Sequence, residues 1–364
     1  MYPYKHFILV SCILFCSGFG ANQQKSSPII LRDEKLNFSP HEYHIANIID
    51  ERADKNTVAL LVYKTEAGSY LTRPSDFKGG AALSIKQFID HNLGQDKSLR
   101  PVVISIKSLK LEETSSAGRK VNGHLSIDLS FDLQKDYGIL HLTDYKGGTR
   151  YTRSDGQTDI AEHVLRQGIE SALSWFNNWI NMNAESDPRL AKAVKVKLSD
   201  YTEKPEGDTI YYAANRPLNW DDFRDKHGEG SFEAEVFASV GYIERATVES
   251  GIINLNIALK VDMPKSDCWV RDRSRDGYVL NHEQRHFDIT KIVGEHFKQK
   301  IAAMKLPPDN YDGEINVEYL ETLRELHRMQ TQYDSETHHG ANHGMQEEWN
   351  EKIDKELKSL GIKK

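Results

Sequence analysis

His282 and His286 enclose Glu283 and lie four residues apart in the segment His282-Glu283-Gln284-Arg285-His286. The apolar spacing around this segment predicts a long helix over about 279–304, ended by Pro307 and Pro308. On a helix, residues i and i+4 share a face one turn apart, so both imidazoles reach one metal ion. Glu283 then sits at the side of the metal. There its carboxylate takes a proton from a water that zinc acidifies to a pKa of about 7. A catalytic zinc has three protein ligands and an open fourth position, so one more ligand must come from elsewhere. His296 follows ten residues after His286, too far along the helix axis to share the ion, and reads as a surface residue. The segment Tyr333-Asp334-Ser335-Glu336-Thr337-His338-His339-Gly340 offers a carboxylate and imidazoles together, with Gly340 to turn the chain.

Composition suits a soluble protein with a core. Of 364 residues, 38% are hydrophobic and 28% charged, which argues against disorder and against a membrane bundle. The formal net charge of -7, with both signs interspersed, excludes the concentrated basic face of a nucleic-acid binder. The length allows two ordinary domains.

The first twenty residues read differently. Lys5 and His6 precede an apolar run from Phe7 to Phe15, and Ser17, Gly18 and Gly20 follow. That pattern predicts a secretory signal peptide over 1–20, with cleavage after Gly20, and so a secreted or periplasmic, cell-envelope location. Cys12 and Cys16 offer an alternative, a lipid anchor at the membrane. The mature chain then keeps Cys268 alone, so no disulfide forms within it; this cysteine reads as a small buried hydrophobe.

Residues 21–40 form a polar lead-in. After them, short apolar runs at 57–63, 102–111 and 139–145 read as strands, and Lys146-Gly147-Gly148 as a turn. Leu125, Ile127, Leu129, Phe131 and Leu133 alternate with polar residues, which predicts a half-buried strand. Ile160 to Ile180 repeats at helical spacing behind Asp159 and Glu162, which suit a capping box. The expected fold class is therefore α+β, in two domains. Residues 41–200 form an accessory α+β domain with an antiparallel sheet, and residues 201–364 carry the zinc site. The boundary is placed in the polar stretch 198–209, with Pro205 and Gly207. In the second domain, strands are expected near 236–243 and 253–261, and a helical region from about Val317 is interrupted between Gly340 and Gly344.

Three separated segments carry a resemblance. They are Asn219-Trp220 with Phe223; Trp269-Val270 followed by the motif from Leu280 to Ile289; and Tyr333 to Gly340, with Gln346 and Trp349 beyond. Together, over about 210–356, they resemble a sequence-defined family of secreted bacterial zinc-dependent proteases. The resemblance implies zinc, a zincin-like metallopeptidase fold and an envelope or secreted location; it does not supply the substrate, and a peptide or protein is expected from the zinc chemistry. It implies His282 and His286 as ligands and Glu283 as catalytic base. It matches His339 to the third ligand, with Asp334 as the alternative, either as ligand or as partner to an imidazole, and His338 as a further neighbour. Asp288 would be another carboxylate supporting an imidazole, and Tyr333 a donor to the oxyanion. Two other readings stay open. One is an envelope binding or scaffold protein with a structural or inactive zinc. The other is an amidase acting on cell-wall peptide.

Overall fold

The computed structural model describes residues 27–226 and 232–362, so the expected export signal, with Cys12 and Cys16, lies outside the described residues. The fold class is α+β. The chain divides into two compact units between Ile180 and Asn181.

The first unit holds strands β1 (Tyr43–Asp50), β2 (Ala59–Lys64) and β3 (Tyr70–Ser75), helix α1 (Ala81–Asn92), strands β4 (Arg100–Ser116), β5 (Lys120–Lys135) and β6 (Gly138–Ser154), and helix α2 (Ile160–Asn183). The strands form one six-stranded sheet in the order β3-β2-β4-β5-β6. It is mixed, not antiparallel as expected. β1 and β2 both run parallel to β4, along successive stretches of its edge opposite β5. Parallel pairing needs a crossover, and here β2, β3 and α1 intervene between β1 and β4, leaving no local signal of strand direction. Gly147 and Gly148 do not turn the chain. They lie inside β6, where a Cβ on Gly148 would come within 2.4 Å of the Leu125 carbonyl oxygen. The apolar face of α2 is buried, and Phe176 stacks on Phe131 at 4.1 Å. Of the lead-in, Ile29 is buried and bridges to Phe77.

The second unit begins earlier than the expected boundary. Its sheet includes β7 (Ala193–Asp200) and β8 (Thr209–Tyr211), on either side of the polar stretch. Strands β9 (Ala234–Glu235), β10 (Ser239–Glu249), β11 (Ile252–Pro264) and β12 (Trp269–Val270) follow, then helices α3 (Gly277–Ala303), α4 (Tyr311–Thr337) and α5 (His343–Ser359). β11 pairs with β10, β7 and β8, while β9 and β12 form a separate ribbon. β7 joins β11 in parallel, a pairing across more than fifty residues that no local pattern announces.

α3 is the centre of this unit. Phe287, Phe297 and Ile301 enter one apolar cluster with the sheet residues Leu255, Ile257 and Leu259. Ile289 and Ile292 enter another with Tyr333 of α4 and Trp349 and Ile353 of α5. Burial on both sides fixes the rotation of α3, and so the direction of its histidines. Gly294 permits the close approach to the sheet: a Cβ there would meet Leu259 Cδ2 and Val261 Cγ2 at 3.0 Å. Gly294→Val is expected to destabilise the protein by about 1–3 kcal/mol through overpacking. Urea denaturation measures this, and an unchanged midpoint would contradict the packing account. His296 is not a free surface residue. Its Nδ1 meets Glu325 of α4 at 2.7 Å and its Nε2 meets Glu356 of α5 at 3.1 Å, tying the three helices together.

Candidate metal centre

The side chain of Asp276 caps the start of α3 by accepting the backbone N–H groups of Tyr278 and Val279, each at 2.9 Å. One turn further on, His282 and His286 project from the same face, with their Nε2 atoms 3.3 Å apart. Asp334, in the last turn of α4, completes the group. Its Oδ1 lies 3.4 Å from His282 Nε2 and 3.0 Å from His286 Nε2. Among the described residues these three side chains form a group able to hold a metal ion.

The spacing fits a small divalent ion. Ligands about 2.1 Å from a tetrahedral zinc stand about 3.4 Å from one another. Asp334 Oδ1 is also buried, facing the two Nε2 atoms. A buried carboxylate oxygen is costly unless a cation, a protonated imidazole or a metal ion, satisfies it. Two imidazoles and one carboxylate are an ordinary donor set for zinc.

The charges agree with this arrangement. Burial opposes ionisation of Asp334, but hydrogen bonding to His282 and His286 and their positive charge outweigh it, so its carboxyl lies well below the usual range. Burial likewise opposes charging of His286, and Asp334 outweighs that effect and raises its pKa. Glu283, almost wholly buried, has its pKa raised by burial, against the pull of the two histidines.

The imidazoles are oriented by amides. His282 Nδ1 lies 2.9 Å from Gln346 Oε1, and His286 Nδ1 is bonded to Gln330 Oε1. The amides are themselves fixed. Gln330 Nε2 donates to the His286 carbonyl at 2.9 Å and to Thr290 Oγ1 at 3.1 Å, and Gln346 Nε2 donates to the Tyr333 hydroxyl at 2.7 Å. With Nδ1–H donating to an amide oxygen, each ring turns its Nε2 lone pair towards Asp334 and the ion position. Gln330→Leu is expected to weaken zinc binding roughly 10–100-fold, read by competition with a chromophoric chelator. An unchanged affinity would show that the amide does not set the ring.

Several expected residues stand elsewhere. His339 is not among the three converging groups: it is exposed, with its ring against Phe232 and its Nδ1 3.5 Å from Asp334 Oδ1. The cause is the end of α4. His338, His339 and Gly340 have φ of 49°, 52° and 83°, so the chain leaves the helix just after the turn that carries Asp334. Glycine suits position 340 because L side chains rarely adopt a φ of 83°; a Cβ there would stand at ordinary contact distance from the His282 ring. His338 is exposed as well. Tyr333 does not face the cavity as an oxyanion donor would. It is fully buried, its ring stacks on His282 at 4.8 Å, and its hydroxyl bonds Gln346 and the His282 carbonyl. Asp288 does not serve an imidazole. It accepts from Tyr212, Gln284 and Arg285 and anchors α3.

Glu283 is held by the main chain. Its Oε2 accepts the Val236 N–H at 2.9 Å. Val236 follows the two-residue strand β9 in a segment, 232–238, that forms one wall of a cavity of about 600 Å³, with His282, Glu283, His286 and Asp334 also lining it. Beneath this wall, Cys268 is buried, its thiol pushed up to about 12 by burial, and its Sγ accepts the Phe237 N–H. Sequence reasoning missed Gln330, and it singled out Gln346 without giving it a role. The i,i+4 spacing of Gln330 and Asp334, the same as that of the histidines, was the available signal.

A family model matches residues 254–340, and its description is a bacterial protein of unknown function, DUF922. The span includes β11, α3 and the turn that ends α4. It corrects the resemblance drawn above, because the matching family carries no protease assignment. No curated protein matches the chain. Among solved structures, the protein XCC0632 from Xanthomonas campestris, of the family DUF330, matches at 10% identity and a TM-score of 0.29, over 44% of this chain and 99% of that one.

Proposed function

We propose that the second unit is a zinc-dependent peptidase with a zincin-like site, in which His282, His286 and Asp334 hold the metal and Glu283 is the general base. One observation carries this reading: three ligand atoms converge at 3.0–3.4 Å in a cavity that also contains the Glu283 carboxylate. When bound, zinc supplies Lewis acidity, which acidifies a water and polarises a carbonyl. Glu283 takes the proton of the attacking water and passes it to the leaving amine. The Val236 N–H fixes one carboxylate oxygen, which positions the base without neutralising it. The three-ligand set supports hydrolysis over a structural role, since a structural zinc takes four protein ligands and a catalytic one keeps a position open.

A polypeptide substrate is supported by the strand beside Glu283. Among the described strands, β9, which leads into Val236, pairs with β12 alone, so its other side is an open edge. An extended peptide can add to such an edge. The export signal expected over 1–20 supports a location in the cell envelope or outside the cell.

The test is zinc stoichiometry, followed by hydrolysis of a mixed peptide library and of cell-wall peptides, with and without a chelator. Expected are one zinc per chain and chelator-sensitive cleavage of the peptide library. A protein that binds no zinc and cleaves nothing after zinc is added overturns the proposal. Cleavage confined to cell-wall peptides replaces it with the amidase reading.

A further inference from the structure

The metal group and Glu283 use only part of the cavity. Much of its remaining wall is apolar and comes from two elements. Phe237 contributes from the segment between β9 and β10, and Leu323 and Leu326 contribute from α4, two to three turns before Asp334. Phe237 is 58% exposed and Leu323 is 37% exposed. Leu326 packs behind them onto both apolar clusters of the unit, which gives the patch a fixed base. A second cavity, of about 880 Å³, shares Ala238, Leu323 and Leu326 with the first. The apolar patch therefore sits partway along a groove that leads to the metal centre. Single exposed apolar residues need no explanation. Apolar residues from two elements, lining one cavity beside a reactive centre, form a wall that sheds water when a ligand covers it.

We propose that Phe237, Leu323 and Leu326 form a specificity subsite for a large apolar side chain, of the leucine or phenylalanine class, on an extended polypeptide substrate. The proposal rests on the hydrolytic reading of the metal centre. The occupant follows from continuity: a chain lying along the strand wall with its carbonyl at the metal group carries its neighbouring side chains along this groove. An apolar pocket discriminates by about tenfold or more for each missing methylene. Peptides with Leu or Phe at the position that meets the subsite should be cleaved at least about tenfold faster, as kcat/KM, than those with Ala, Lys or Asp.

The experiment uses zinc-loaded full-length protein and end-labelled decapeptides that vary at one position at a time through Leu, Phe, Ala, Lys and Asp. Cut sites are located by mass spectrometry. Wild type should show the apolar preference at one fixed position relative to the cut. Leu323→Lys should lose about tenfold or more on the Leu peptide and come to favour Asp at that position. Phe237→Ser should flatten the ranking, with the zinc content of both variants checked. A flat ranking in wild type, or a ranking that neither variant alters, overturns the subsite. If no peptide is cleaved, the hydrolytic reading fails. Fluorescence anisotropy of the same labelled peptides on zinc-loaded Glu283→Gln protein then decides the subsite separately. Tighter binding of the Leu and Phe peptides supports it, and equal or absent binding overturns it.

Discussion

Glu283→Gln is expected to lose about 10²–10⁴-fold in peptide turnover while keeping one zinc per chain. The substitution keeps the size of the side chain. The amide oxygen can still accept the Val236 N–H that holds Oε2 at 2.9 Å, so the strand wall stays in place. What disappears is the capacity to take a proton. The ligand atoms of His282, His286 and Asp334 are untouched, and their amide supports, Gln330 and Gln346, do not contact Glu283 in the hydrogen-bond network described above. Metal content by mass spectrometry and kcat on the best library peptide measure the two halves separately. Retained turnover removes Glu283 from the chemistry. Lost zinc would mean that the variant tests the fold and not the base.

Asp334→Ala should weaken zinc binding by more than the roughly 10–100-fold expected for a supporting residue, whereas His339→Ala should leave one zinc per chain. The contrast follows from position. Asp334 Oδ1 lies within 3.4 Å of both Nε2 atoms, while His339 is half exposed and outside the converging group. A second readout separates metal loss from misfolding. Stability is measured with and without zinc, so that any effect of the substitution on the metal-free protein is subtracted. Wild type should gain about 2.7 kcal/mol with zinc at 100 times its Kd, and the Asp334 variant should gain nothing at the same concentration. If His339→Ala empties the site and Asp334→Ala does not, the ligand assignment is wrong.

These two predictions lie on either side of what a linear reading reaches. His282, Glu283 and His286 were legible because i and i+4 on one helix are neighbours whatever the rest of the chain does. The third member of the converging group was not legible, because it depends on where α4 stops. The resemblance put weight on His339, whose histidine precedes a glycine. The helix instead runs through Thr337, and left-handed residues at 338–340 carry His339 out to the surface. Gly340 reads as a helix breaker in the sequence, and in the structure it ends the left-handed run that follows α4. The resemblance implies Tyr333 as a donor to the oxyanion, yet on a helix it points about 100° away from the adjacent Asp334. Asp334 faces the histidines' Nε2 atoms, and Tyr333 stacks on the His282 ring from within the core.

The same division holds for the fold. Period-two alternation at 125–133 and at 253–261 marks strands that the structure contains as parts of β5 and β11, because burial of one sheet face is written into a strand's own residues. The partner of a strand is not. β1 and β2 both lie parallel to β4, and β7 joins β11 from the far side of a polar stretch that looked like a domain boundary. Pairing direction, the extent of each unit and the Gln330 and Gln346 supports arise from residues distant in the chain.

By itself, the sequence determined that a helix would present two imidazoles and a carboxylate together, since helical geometry is local. Only the tertiary structure decided which acidic or histidine side chain would complete the group. That choice required α3 to be buried between the sheet and two helices, which fixes the direction of its histidines and brings the last turn of α4, with Asp334, against them.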